Sequence, residues 1–320
     1  STHGEKFSSF TEWFTDSSWF FDLFAKNFVG AYDTTKFGSI PMIYVGIFPL
    51  ILAIIFFTIK SIKWQTRVAY GLMLLLIIAS FYLEPLDLMW QGMHSPNMFL
   101  HRYSWTFSIL VILLAAETLS HLKELETRHY LTGLIPLAVG FLASAVLKNH
   151  YDFLETPQIV ITFSFLIAYA IILLSHAKQY LTFNFVVGFT LIFTLFEISL
   201  NTYYQINALN NEWVFPSRQS YAHDLTDIEK LVQNTKELNT TFYRTEELLP
   251  QTGNDSMKYN YNGISQFSSI RNTISSSILD RLGFKSTGTN LNLRYQNNTL
   301  LMDSLFAVKY NLSELKKTLK

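Results

Sequence analysis

Cysteine is absent from the 320 residues, so neither a disulfide nor a thiolate metal site can form. Charge is scarce as well: Asp, Glu, Lys and Arg make up 15% of the chain, against about a quarter in an ordinary soluble domain. The 24 basic and 24 acidic residues cancel to a net charge of zero, and without a basic cluster there is no footprint for nucleic acid. No signal-peptide pattern opens the sequence; it starts at Ser1 rather than Met and reads as a piece of a longer protein. A Gly-rich phosphate loop, a nucleophile elbow and a paired-His zinc motif are also missing. His121, His129 and His150 fall in loops without ligand spacing, so no metal is expected.

What the chain has instead is long apolar runs. A membrane span needs about 17–25 largely apolar residues. Pro41–Ile59, Val68–Leu83, Met98–Leu119, Leu131–Leu147, Pro157–Ser175 and Leu181–Leu200 meet or approach that requirement in succession, joined by short polar loops. The expected fold is an α-helical polytopic membrane bundle of about six transmembrane helices, followed by an extracellular mixed α/β domain. The expected boundaries are an extracellular segment 1–39, the bundle 40–200 and the external domain 201–320.

Basic residues set the orientation. Lys60, Lys63 and Arg67 follow the first run, Lys123 and Arg128 the third, and Lys178 the fifth, whereas the opposite loops hold only Arg102 and Lys148. The first set is therefore read as cytoplasmic, and the tail from 201 as external. In that tail "DLTDIEKLVQNT" places Leu225, Ile228, Leu231 and Val232 on one helical stripe. "TTFYRTEEL" suits a strand, "QTGND" a turn, "SSIRNTISSSILDRLGF" a helix stopped by Gly283, and "LFAVKYNL" a late strand.

Polar groups at a helix mouth or at membrane depth are functional candidates. The stretch "EPLDLMWQGMHSPNMFLHRYSW" offers Glu84, Asp87, Trp90, Gln91, His94, His101 and Arg102. An arginine there can hold a phosphate bidentately; the same residues also fit an arginine reaching lipid headgroups, with Trp90 and Trp105 in an aromatic belt. A second cluster, Tyr32, Asp33 and Lys36, precedes the first run and also fits a plain connector. Glu197 lies inside the last run, where a buried polar partner or a functional role would each account for it.

Together "YDTTKFGSIPMIYVGIFPLILAIIFF", "MHSPNMFLHRYSW", "FYRTEELLPQTGNDSMKYNYNGISQFSSIRN" and "LGFKSTGTNLNLRY…TLLMDSLFAVKYNLS" resemble the bacterial YfhO family over essentially the whole chain. "YNGISQFSSIRN" and "DSLFAVKYN" are the most specific of these signatures. The resemblance implies a polytopic glycosyltransferase of the GT-C class in the cell membrane of Gram-positive bacteria. It implies an undecaprenyl (polyprenyl) phosphate-linked sugar as donor substrate and an external cell-wall polymer, such as lipoteichoic acid, as acceptor; no other cofactor is implied. On that expectation Arg102, with His101 or His94 assisting, would hold the donor lipid phosphate. Sugar or acceptor would meet Asp33, Lys36, Glu84, Asp87, Trp90 and Gln91, and in the tail Tyr243, Arg244, Asn262, Gln266, Ser268, Ser269, Arg271 and Asn272. GT-C enzymes place a catalytic acid in the first external loop, and the sequence is expected to begin after it, with Asp33 as a stand-in. Two other classes fit the composition: a noncatalytic polymer-binding scaffold, and a transporter of a lipid-linked intermediate, which would show broken or charged helices near mid-bilayer.

Overall fold

Apolar side chains lie on every side of the long helices, and this decides the architecture. The computed structural model describes residues 13–15, 18–94, 96, 98–268, 273–284, 292–296 and 298–313. The chain divides into two compact units, one ending at Val214 and the other beginning at Phe215.

The first unit is helical: α1 (Asp22–Ala25), α2 (Ile47–Phe56), α3 (Trp64–Tyr82), α4 (Glu84–Trp90), α5 (Trp105–Ser120), α6 (Thr127–Val146), α7 (Thr156–Ala177) and α8 (Phe183–Glu212). Short 3-10 turns at Arg102–Ser104, Leu122–Glu124 and Lys148–His150 link some of them. Among the described residues five helices are long and apolar enough to cross a membrane: α3, α5 with its preceding turn, α6, α7 and α8. Leu72, Leu75 and Leu76 on α3, Ile112 and Leu113 on α5, Val139 and Leu142 on α6, and Ile192 and Leu195 on α8 stand exposed. Such an apolar perimeter belongs against lipid, not water.

The expected first span is corrected. The apolar run Pro41–Ile59 is helical only over Ile47–Phe56, about 15 Å of rise and half a bilayer core, so among the described residues five span-length helices stand where about six were expected. Hydropathy alone misses the break. Gly46 adopts φ +90, a left-handed conformation open to glycine, and residues 39–46 run without helix into the interior, with Ile40 and Ile43 buried. Glu197 on α8 supplies what the broken helix lacks: its Oε1 accepts from the Ile47 amide at 2.8 Å and from the Tyr44 hydroxyl at 2.7 Å, and its Oε2 from the Tyr169 hydroxyl at 2.7 Å. At 1% exposure, Glu197 is a side-chain cap buried in the bundle.

Around α2 the bundle closes on α5, α6 and α7, with α3 against α5 and α8 against α7. Ile47, Ile51, Ile55 and Phe56 form one core with Leu114, Tyr130, Phe141 and Tyr169. Gly133 and Gly140 let neighbours approach α6. A Cβ on Gly133 would lie 2.8 Å from the Ile51 carbonyl, and one on Gly140 would run into the Phe24 ring. Gly140→Ala is therefore expected to lower stability by about 1–3 kcal/mol, seen as an earlier thermal unfolding midpoint in detergent. An unchanged midpoint would show that the α1 segment yields freely.

The two ends of the bundle differ. At one, Ser61 donates to Glu124 Oε2 at 2.6 Å, so the Lys60–Lys63 and Lys123 loops lie together. At the other, residues 29–35 are pinned by polar side chains of α7 and α8. Val29 and Gly30 donate through their amides to Thr162 Oγ1 and Asn201 Oδ1, while Gly30 and Ala31 carbonyls accept from Gln158 and Gln205. Helix α8 continues past Leu200 to reach this segment with Glu212.

The second unit holds α9 (Arg218–Ala222), α10 (Leu225–Glu237), β1 (Arg244–Glu247), α11 (Asp255–Lys258), β2 (Gln266–Phe267), α12 (Thr273–Arg281), β3 (Asn292–Leu293), α13 (Leu300–Leu305) and β4 (Val308–Leu312). β1 pairs with β4 in parallel and β2 with β3 antiparallel, giving two small sheets. The expected helix at 224–235, strand at 240–248 and late strand all find counterparts, although Leu305 ends a helix and the strand begins at Val308. Asp303 ties the unit together. Its Oδ1 accepts from Tyr295 at 2.9 Å and Asn298 at 2.6 Å, and its Oδ2 from Asn311 at 2.9 Å. Burial pushes this carboxyl up, but the hydrogen bonds from Asn298, Asn311 and Tyr295 outweigh it and hold it below its ordinary 3.8. An acid depressed on folding stabilises above its unfolded value and loses that contribution as pH falls through the lowered one. Below pH 3.8, proteolysis of this unit is expected to accelerate more in the wild type than in Asp303→Asn. Equal pH dependence would remove Asp303 as the cause.

Candidate functional site

The Glu212 end gathers three chain segments that sequence separates widely. Glu212 closes α8 and accepts from Tyr32 and Thr34 hydroxyls, from the Thr35 amide and from the Thr35 hydroxyl at 2.9 Å. Trp213 follows and donates its indole N–H to Thr35 Oγ1 at 2.7 Å. The third segment joins through Phe99, whose amide donates to the Thr35 carbonyl at 2.8 Å and whose ring stacks on Trp213, with centroids 6.3 Å apart and planes 3° from parallel.

One cation stands over this platform and a second is bonded to the backbone beside it. The Lys36 ammonium lies 5.2 Å above the Trp213 ring and 3.4 Å from the Glu212 carbonyl. The exposed Arg102 is anchored to its own loop, Nε donating to the Phe99 carbonyl at 3.2 Å and Nη2 to that of Met98 at 3.1 Å. Those bonds fix the guanidinium plane and use two of its five donors, leaving N–H groups for a ligand.

Behind Arg102 the backbone turns through His101, a non-glycine residue at φ +52. His101 is 2% exposed, and its Nδ1 lies 2.9 Å from Asp87 Oδ1. The Tyr103 hydroxyl lies between the Ser80 carbonyl at 2.6 Å and the same Asp87 oxygen at 2.9 Å, while Gln91 donates to Asp87 Oδ2 at 2.8 Å. Trp90 stacks on Tyr103 at 5.2 Å and donates to Ser80 Oγ. His101 Nε2 is buried and has no hydrogen-bond partner. An orphaned buried polar atom costs about 1–3 kcal/mol, so the fold retains this imidazole against a penalty.

The expected residues thus separate into groups. Lys36 is tied to the Trp213 ring and Arg102 to the Phe99 carbonyl, and Phe99 stacks on Trp213. Asp87, Trp90, Gln91 and His101 form a buried network whose polar atoms mostly face one another. Glu84 opens α4 and His94 lies half-buried beyond it. Asp33 is engaged elsewhere: Oδ1 pairs with the buried Lys26 ammonium at 2.5 Å, and Oδ2 accepts from the Ile40 amide at 2.7 Å. Bound this way it is poorly placed to serve as a free base.

In the second unit Tyr243 packs against Tyr310, Arg244 donates to the Phe306 carbonyl at 2.7 Å, and Asn262 donates to the Tyr243 carbonyl. These contacts serve β1. Gln266 is exposed on β2 and Ser268 follows it, whereas Ser269, Arg271 and Asn272 lie outside the described residues.

Trp213, Phe99 and Glu212 were not singled out by sequence reasoning. The signal available was the apolar periodicity of α8 running on beyond Leu200, which carries Glu212 and Trp213 to the loop end. Asp22 was also missed: it is buried, bonded by Tyr151 and the Trp19 amide, and burial pushes its carboxyl up.

No curated protein and no solved structure matches the chain. A family model described as "Bacterial membrane protein YfhO" matches residues 1–320. With five helices fit to cross a membrane and the match running from end to end, the chain is a multi-pass membrane protein and belongs to the YfhO family.

Proposed function

We propose that the Glu212 end is the external face and receives a polyprenyl-phosphate-linked sugar, which the parent protein transfers to a cell-wall polymer such as lipoteichoic acid. The observation that carries this reading is the Trp213–Phe99 stack, with Lys36 over the Trp213 ring and Arg102 held by the backbone carbonyl of Phe99. The rings suit a sugar face, and the two cations suit the phosphate joining sugar to lipid. In the transfer, an acceptor hydroxyl attacks the anomeric carbon and its bond to the phosphate oxygen breaks. The electron pair leaves on the phosphate, and the hydroxyl proton passes to a base. Arg102 and Lys36 stabilise the charge that accumulates on the leaving phosphate, and His101 backs the turn that presents Arg102.

The experiment compares teichoic acid from cells with the intact gene, its deletion, and Arg102→Ala, recording anomeric sugar signals by NMR. Loss of one sugar signal in the deletion and a tenfold or greater drop in the point variant, with protein still in the membrane, is expected. An unchanged polymer in the deletion, in cells with no second transferase, would overturn the reading.

One observation favours a second reading. A half-length helix entered through extended backbone and capped by Glu197 is the kind of interruption that transporters place at ligand sites. A flippase would move a fluorescent polyprenyl-phosphate sugar across reconstituted vesicles. The first reading expects no such movement.

A further inference from the structure

We infer that the unit beginning at Phe215 carries its own binding site for a phosphodiester-linked polyol or sugar chain, laid across the turn Gln251–Gly253. This deepens the proposed function by giving the acceptor polymer a place, and it rests on that reading only for the polymer's role as acceptor.

Two cavities flank the turn, of about 560 Å³ and 210 Å³. Gln251 and Thr252 line both, so the turn is the ridge between them. The ridge is firmly held: Asp255 accepts from the Gln251 amide, and from the Thr252 amide at 3.0 Å together with the Thr252 hydroxyl. The Asn254 side chain fixes its far side by accepting from the Phe267 amide at 2.8 Å. Both Asp255 oxygens are thereby directed at the turn.

The larger cavity has a cation on its wall that makes no ion pair among the described residues; the Asp255 carboxylate is turned to the amides of the ridge instead. Lys258 donates to the Tyr221 carbonyl at 2.7 Å and to Gln251 Oε1 at 2.8 Å. Its ammonium lies 4.2 Å from the Tyr221 ring centroid and 4.8 Å from that of Tyr259. These partners are neutral, and they use two of the three N–H donors. Among the described residues no carboxylate stands within 4.0 Å of this ammonium, so a positive charge partly stripped of water faces the cavity. Tyr221 presents an exposed ring beside it, and the remaining wall is built largely of hydroxyl and amide groups.

Across the ridge, Arg294 lines the smaller cavity and likewise has no carboxylate partner among the described residues. A lone anion would need one cation. Cations on both sides of a hydroxyl- and amide-rich ridge match a chain with a phosphate on each side of a polyhydroxyl unit. A neutral polysaccharide leaves both charges unanswered, and a nucleic acid would call for a row of aromatic platforms that the ridge does not offer.

The test uses the full chain in nanodiscs of phosphatidylcholine, with calorimetric titration of a short glycerol-phosphate oligomer, maltotriose and inorganic phosphate. The oligomer is expected to bind and the neutral trisaccharide to fail. Lys258→Gln should weaken oligomer binding about tenfold, Arg294→Gln several-fold, and Lys258→Arg should retain it. Wild-type affinity in Lys258→Gln and Arg294→Gln would overturn the site. Inorganic phosphate binding as tightly as the oligomer would reduce it to an isolated anion site and overturn the chain-binding claim. The two readings fail separately: wild-type oligomer affinity in both cation variants with sugar still transferred in cells sinks this inference alone, whereas oligomer binding without any transfer sinks the transferase alone.

Discussion

Glu197→Ala is expected to leave little folded protein in the membrane. The substitution removes the acceptor for two tyrosine hydroxyls and for the first amide of α2. Each donor left without a partner in the interior costs about 1–3 kcal/mol. The sum exceeds ~3 kcal/mol, a large share of the 5–15 kcal/mol that holds an ordinary domain together. Glu197→Gln is the informative companion. Its carbonyl oxygen can still accept from Tyr44 and Ile47, and Tyr169 can turn its hydroxyl to accept from the amide. A smaller loss, under about half that of alanine, is expected by thermal unfolding in detergent. Equal stability of wild type and Glu197→Ala would show that α2 does not depend on this cap, and would return Glu197 to the list of functional candidates.

Glu197 also shows what sequence conveys and what it does not. A carboxylate in an apolar run announces a buried partner, but its partners Tyr44 and Tyr169 lie on two other segments, and no local pattern names them. The same applies to the first run. Apolar composition over Pro41–Ile59 says that the segment is buried from water, which is correct for Ile43, Ile47, Ile51 and Ile55. Whether buried backbone is helical depends on who satisfies its amides, and that is settled by α8. At the candidate site, Arg102 and Lys36 were legible because charge is rare here and stands out. The Trp213–Phe99 stack was not, since its rings come from segments more than a hundred positions apart and meet only because α8 overshoots the bundle. In the second unit α10, β1 and β4 were legible from periodicity and residue type, whereas α9, α11, α13, β2 and β3 were not, and the ridge of Gln251–Gly253 was visible only as a turn. Its two cavities depend on Lys258 and Arg294, which approach it from opposite sides.

Asp87→Ala is expected to abolish the proposed transfer without touching any group that meets the substrate. In the native protein His101 has one ring nitrogen bonded to Asp87 and the other buried without a partner. Removing the carboxylate leaves both nitrogens unsatisfied, while Tyr103 still has the Ser80 carbonyl. The cheapest relief is for the imidazole to leave its pocket, and His101 sits at a positive φ directly before Arg102. Movement there displaces the guanidinium and loosens Phe99, whose ring is half of the stack with Trp213. A shift of about 1 Å in a positioning group costs about 100-fold in rate, so transfer should fall by at least that factor per molecule of inserted protein. Asp87→Asn separates geometry from charge. Its carbonyl oxygen can accept from His101 and Tyr103, and Gln91 can reverse its amide to meet the new NH2, so the turn keeps its shape and most of the rate should survive. Both variants falling alike would assign Asp87 a direct electrostatic role in the reaction. Both retaining full activity would show that the turn at His101 does not govern Arg102.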